Sequence, residues 1–462
     1  MNLSKSQIYI VAVVAVTSFM GTFLISSINI ALPAIEKSFN LDAVTLSWVI
    51  TSFLLATAMF LLPVGKLGDV KGIKRFFKIG VIIFTISSFL CGFSVSGLWL
   101  IVFRYLQGIG TAFVTTTGPA ILVSAFPQKY RGRVLGISVS AVYLGLAFGP
   151  FAGGFITQFM GWRSIFYISA LLGIFTTLLT FLFLGKDESA KTEYQKIEFK
   201  ESIWYMIGLL LLTYGSSKIP LFQGWIMFAA GLLSVVIFWR IENNSDYPVI
   251  DTRLFTQNRL FAYSNLAALI NYSATFAIVF LLSLYLQKLK GFSPSYAGTL
   301  LVAQPLMMTI FSPIAGTLSD KLQPRYLTTI GMTMCTIGLA IFALFSESTP
   351  VWLIITMLLW VGLGFALFSS PNMNTIMSSV NNSQYGLASG SAATMRVVGQ
   401  ITSMTIAALF FSFMFNGKAI EMVSNTVFLK AMKYSFICFS AISALGIYFS
   451  FNRGKIEREK YY

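Results

Sequence analysis

Two arginines stand where so apolar a chain rarely tolerates charge: Arg104 in LIVFRYLQGIG and Arg396 in SAATMRVVGQ. An ionisable group inside a membrane span is unfavourable, functional by default, and normally has a partner. The natural partner is a carboxylate, and the chain has 16 acids. All but Asp69 and Asp320 fall in predicted loops or tails, Glu36, Asp42, Glu242 and Glu421 among them. No predicted span interior carries Asp or Glu. Histidine is absent altogether, which removes imidazole relays and the commonest metal ligand.

Two expectations follow. A cation in a low-dielectric cavity needs a counter-charge, so permanent cations are poor cargo. Neutral, zwitterionic or anionic amphiphiles fit better, with Arg104 or Arg396 available to receive an anionic group. A transported proton, meanwhile, lacks its usual carrier. It would have to use Asp69, ride on the substrate, or take no part.

The remaining chemistry is uncharged. An unpaired polar group at midspan is expensive, which singles out Ser26, Ser27 and Asn29 in the first span, Gln107 in the fourth and Tyr143 in the fifth. From the second part of the chain come Asn271, Tyr272, Gln304 and Asn372, joined by Arg396. Each alone reads as interhelical glue; as a set they are the expected substrate pocket, with 44 Phe to supply an apolar lining. The three cysteines, Cys91, Cys335 and Cys438, are far apart in apolar runs and read as small buried residues. No cofactor and no metal is implied.

The elements that must position these residues are membrane helices. Hydrophobic residues make up 56% of 462 positions and charged ones only 10%, against about 25% charged in soluble domains. Segments of about 20 apolar residues begin near Ile8, Val44, Ile79, Leu98, Val134, Ile165, Ile203, Ile226, Leu260, Tyr296, Leu327, Val351, Leu387 and Phe428, which gives 14 transmembrane helices in an all-α membrane protein. With the N-terminus inside, 22 of the 32 Lys and Arg lie in loops on that face. Both termini are therefore placed in the cytosol, and the net charge of +16 reads as a topology signal rather than a nucleic-acid surface.

The chain also repeats itself. GKLGD at 65–69 recurs as GTLSD at 316–320, and GTAFVTTTGP at 110–119 as GLGFALFSSP at 362–371. Gly132, Gly136 and Gly145 recur as Gly386, Gly390 and Gly399. Residues 1–185 and 251–462 thus form two six-helix bundles, the second with a cytosolic tail. Residues 186–202 form a charged cytosolic linker and 203–250 two inserted helices. Parallel repeats with a site at their midplane interface are the logic of alternating access. An enzyme would need acids, histidines or metal ligands around a site, and a channel a charged ring or filter repeat. Neither pattern is present.

Four stretches carry a family resemblance. GKLGDVKGIKR resembles the cytosolic loop signature of the major facilitator superfamily, and RYLQGIG its fourth-helix motif. GLAFGPFAGG, with Gly149 and Pro150, resembles the fifth-helix antiporter motif. Fourteen spans with NIALP in the first resemble the drug:proton antiporter branch. The resemblance implies a multidrug-type exporter in the plasma or inner membrane, a monomer that exchanges an amphiphilic small molecule, for protons in that branch. It implies a gating latch at Asp69 and Arg75 with its copy at Asp320, and a coupling role for Arg104. It also exposes a departure: Leu24 stands where many members carry an acid.

Overall fold

A computed structural model describes residues 5–185, 199–245, 252–381 and 384–455. The first bundle comprises α1 (Lys5–Phe39), α2 (Ala43–Lys71), α3 (Ile73–Gly92), α4 (Gly97–Ala125), α5 (Gln128–Met160) and α6 (Arg163–Phe183). The inserted pair is α7 (Phe199–Lys218) and α8 (Phe222–Asn243). A short α9 (Thr252–Gln257) leads into the second bundle: α10 (Arg259–Thr275), α11 (Ala277–Leu284), α12 (Pro294–Leu301), α13 (Ala303–Lys321), α14 (Pro324–Phe342), α15 (Val351–Ser378), α16 (Tyr385–Phe415) and α17 (Asn425–Asn452).

Thirteen segments among the described residues are long and apolar enough to cross a membrane. The fourteenth element, α7, lies along α8 on four glycines. Gly208 meets Gly231 and Val235, and Gly215 meets Gly224 and Phe228, the close small-residue approach that membrane helices use. Most of the linker expected at 186–202 lies outside the described residues, and α7 is already helical at Phe199.

Local chemistry sets the ends. Asp42 caps α2 by accepting from the Val44 and Thr45 amides, Asn258 caps α10, and Ser293 caps α12 with Pro294 at its first position, as orphan N–H groups require. Helices begin earlier than hydropathy alone places them, at Ile73 rather than Ile79 for α3, because polar first turns stay helical beyond the apolar run. GKLGD departs further from expectation. It is the last part of α2 rather than a loop, and the chain turns only at Gly72, whose φ of 105° suits glycine alone.

Two spans are interrupted in a way that periodicity did not disclose. The ninth breaks between α10 and α11, where Ser403 of α16 accepts from the Ala277 amide, and it ends in a π-helical turn, Tyr285–Leu289. The tenth breaks at Val302, between α12 and α13.

The repeat is visible in packing. Gly145 of α5 sits against α1 at Thr22 and Phe19, and Gly399 of α16 sits against α10 at Leu269 and Tyr272. Likewise Gly80 meets Gly110, and Gly331 meets Gly364. The halves touch through α5 with α12 and α2 with α16, and the main apolar core joins buried residues of α1, α2, α11 and α16 from both halves. Leu24, in place of the expected acid, is fully buried in that core.

Candidate functional site

Arg104 belongs to the interior of the first bundle. Its Nε donates to the Val49 carbonyl at 3.0 Å, a second nitrogen donates to Gln107 Oε1, and its guanidinium lies 4.3 Å from the Phe53 ring centre. Gln107 in turn donates to Ser88 Oγ at 2.7 Å. Both residues are fully buried among α2, α3 and α4. Gln107 therefore tethers Arg104 and does not meet the space between the halves, contrary to its expected place in the pocket.

Along α1 the polar residues lie against α5. Thr22, Ser26 and Ser27 donate to the carbonyls of Val142, Leu146 and Gly149 at 3.0, 3.1 and 2.9 Å. These bonds need close approach, and Gly145, Gly149 and Gly153 provide it: a Cβ at Gly149 would lie 2.5 Å from Ser26 Cβ. Asn29 donates to Ile25, while its Oδ1 is buried without a hydrogen-bond partner.

The second bundle holds a cation that sequence reasoning missed. Arg453, expected in a solvated tail, is buried at the end of α17. It donates to Asn372 Oδ1 at 2.7 Å, to Ser264 Oγ at 3.3 Å and to Ser450 Oγ at 2.8 Å. Asn372 is thereby engaged, donating to the Ser264 carbonyl as well, so it is a structural ligand rather than a pocket residue. Asn271 is fully buried against Cys335 of α14. Gln304 is buried beneath Gly362, with its Oε1 unpartnered. Asp320 accepts from Asn374 of its own half at 3.0 Å. Its copy Asp69 lies in the last turn of α2 with a side chain outside the described set, and Arg75 is exposed near the start of α3.

The remaining predicted residues converge. Tyr143 of α5 reaches across the interface to Ser369 of α15, Oη to Oγ 3.3 Å. Tyr272 of α10 lies within reach of Ser369, Tyr143 and Arg396, and its ring meets Phe365 edge-on at 5.4 Å. Arg396 stands roughly 17 Å along α16 from Tyr385, at 1.5 Å per residue. Unlike Arg104 and Arg453, it holds no hydrogen bond, ion pair or ring contact among the described residues. The site is thus an aromatic, hydroxyl-bearing patch between the halves with one uncommitted cation. Ser369 and Phe365 lie within the repeated stretch GLGFALFSSP, and their places on α15 were the available signal.

On the side where α1 ends, the halves are closed. A Cβ on Gly154 would lie 2.4 Å from the Pro294 carbonyl, and one on Gly298 2.2 Å from that of Pro150. Ser283 and Gln287 donate to the carbonyls of Asn29 and Ile30 at 2.8 and 3.0 Å. Ala43 donates to Lys418 at 3.3 Å. Glu36, expected in a loop, lies in the last turn of α1 with 2% exposure and accepts from the Glu421 amide at 3.2 Å. On the opposite side, a Cβ on Gly136 of α5 or on Gly386 and Gly390 of α16 would meet nothing within 4 Å.

Residues 12–404 match the family model described as Major Facilitator Superfamily. The chain is 33% identical over 418 residues to a riboflavin transporter, RibZ, of Clostridioides difficile, covering 89% of each chain. It is 28% identical to the multidrug resistance protein Stp of Mycobacterium tuberculosis, over 82% of this chain and 71% of that one. Among solved structures, a bacterial homologue of the lysosomal transporter Spinster, in an inward-facing and unoccupied conformation, superposes with a TM-score of 0.71 at 16% identity, covering 98% of both chains.

Proposed function

The chain belongs to the major facilitator superfamily, and from that premise we propose that it is a secondary-active exporter of lipophilic small molecules. Alternating access operates between the two bundles, with both termini in the cytosol of a cell bounded by this membrane. The observation that carries the reading is the α5–α12 contact. The stretch GLAFGPFAGG presents Gly145, Gly149 and Gly153 to α1 and Gly154 to α12, so one helix joins rigid packing inside a half to a removable seal between halves. With the termini inside, the seal is external and the Tyr143–Arg396 patch opens to the cytosol, where an exporter loads. Relatives named for multidrug resistance support efflux.

A second reading, a uniporter or differently coupled carrier of a neutral or anionic amphiphile, is favoured by one observation. The two fully buried arginines, Arg104 and Arg453, are balanced by amide, hydroxyl and carbonyl dipoles, with no carboxylate among their described ligands. A relative named for riboflavin supports dedicated small-molecule cargo. Purified protein in proteoliposomes under an imposed pH gradient separates the two. Proton-coupled export predicts that dye accumulation collapses when the gradient is dissipated and that Asp69→Asn removes the response. Transport indifferent to the gradient overturns antiport and leaves the second reading.

A further inference from the structure

Arg104, Arg453 and Arg396 are buried or half-buried in the bundles, and they are not equivalent. Arg104 and Arg453 are each almost fully enclosed and are met by acceptors of their own half: a carbonyl and an amide oxygen for one, an amide oxygen and two hydroxyls for the other. Arg396 is half-buried at the boundary between the halves and has none of these partners. Its described neighbour is the Tyr272 phenol, itself a weak dipole beside Ser369 and Tyr143.

The protein engages Arg104 and Arg453 with acceptors of its own half, and leaves the half-buried Arg396 guanidinium without a hydrogen bond or ion pair among the described residues. A partly desolvated charge of this kind favours a ligand that brings the counter-charge with it. A guanidinium presents paired donors in a fork that matches a carboxylate. The Tyr272–Phe365 pair, edge-on at 5.4 Å, and the Tyr143 ring supply π-faces at the same place.

We propose that the inter-half site selects an amphiphilic organic acid with an aromatic body, its anionic group held by Arg396 and its rings lodged beside Tyr272, Phe365 and Tyr143. This rests on the transporter reading for its physiological meaning, but the binding preference does not depend on direction or coupling. The same site would refuse the corresponding cation, because the fixed charge then repels it.

A matched series tests this: 2-naphthoate, 2-naphthamide and 2-naphthylmethylamine share one ring system and differ in charge. Calorimetric titration into the full chain in lipid nanodiscs should find naphthoate at least about tenfold tighter than the amide, with the amine weakest. Arg396→Ala and Arg396→Gln should each bring acid and amide to within about twofold, and Arg396→Lys should keep part of the preference. Elution volume and melting temperature establish that each variant is folded. Equal binding of the three, tighter binding of the amine, no detectable naphthoate binding, or a preference that survives in both neutral variants overturns the inference. Acid-selective binding without transport would overturn the exporter and leave the site; transport without acid selectivity would do the reverse.

Discussion

The two bundles meet at two repeat-related seams, and the seams are built differently. In the first, α5 on α12, backbone lies on backbone, because Gly154 and Gly298 leave no room for even a methyl group. The repeat offsets locate their counterparts in the second seam, α2 on α16. Adding 254 (from Gly132 to Gly386) carries Gly154 to Ala408, and subtracting 251 (from Gly65 to Gly316) carries Gly298 to Ser47. Those two residues line a residual cavity of about 10 Å³, shared with Trp48, Thr51, Thr405 and, from the inserted pair, Thr213 and Ser217. Where the first seam has glycine, the second has slightly bulkier residues and a third helix. Helix α7 is fixed to α2 by Tyr205 donating to the Ala58 carbonyl at 3.1 Å and by Trp48 against Tyr214 at 5.9 Å. It also reaches α16, where Ser412 donates to the Ile219 carbonyl at 2.7 Å just beyond its end. One seam closes by steric fit and the other by bracing.

The sharpest test places the same residue at both related positions. Gly298→Ala puts a Cβ 2.2 Å from the Pro150 carbonyl, and relieving such overpacking costs about 1–3 kcal/mol. Transport in proteoliposomes should fall about tenfold or more. Ser47→Ala adds no atom and removes a bond only to the Val44 carbonyl of its own helix, so its rate should stay within about twofold. Equal damage from both would mean that the seams are alike after all.

A smaller effect is expected between the seams. Glu36→Ala removes the acceptor for the Glu421 amide, and leaving a buried donor unsatisfied costs about 1–3 kcal/mol. Distances between spin labels at positions 37 and 422 should gain a longer population. An unchanged distribution would assign the closure to the glycine seam alone. Smallest is Tyr205→Phe, which loses one buried bond of about 1 kcal/mol. Its melting temperature should drop by about 1–3 °C with transport reduced less than threefold. A transport defect as large as that of Gly298→Ala would make α7 part of the gate rather than a brace.

Architecture was readable from the sequence because hydropathy and the spacing of repeated glycines are both set by burial in lipid. Tyr143, Tyr272 and Arg396 were singled out on one criterion, polarity at midspan, and they do share one place. Gln107 and Asn372 met the same criterion, yet each serves an arginine within its own half. The amino-acid type gives the demand for a partner but not its direction, and direction is set by helix rotation. Arg453 and Glu36 were misplaced for a related reason. Their helices continue past the apolar run, and long-range contacts from Asn372 and from the Glu421 amide enclose them.

The inserted pair has one more consequence. Helix α8 turns Trp225, Ile226, Leu232, Leu233, Val236 and Trp239 outward, while α7 occupies the groove of the second seam. Acyl chains are therefore kept away from one of the two joints between the halves and can reach the other, where α5 carries exposed Phe148, Phe151 and Phe155. The molecule has one shielded joint and one that faces lipid: of the two joints, it is the α5–α12 joint on which membrane thickness and lipid shape can act. A molecule dissolved in the bilayer meets this protein with a handedness, arriving at a joint from one side only.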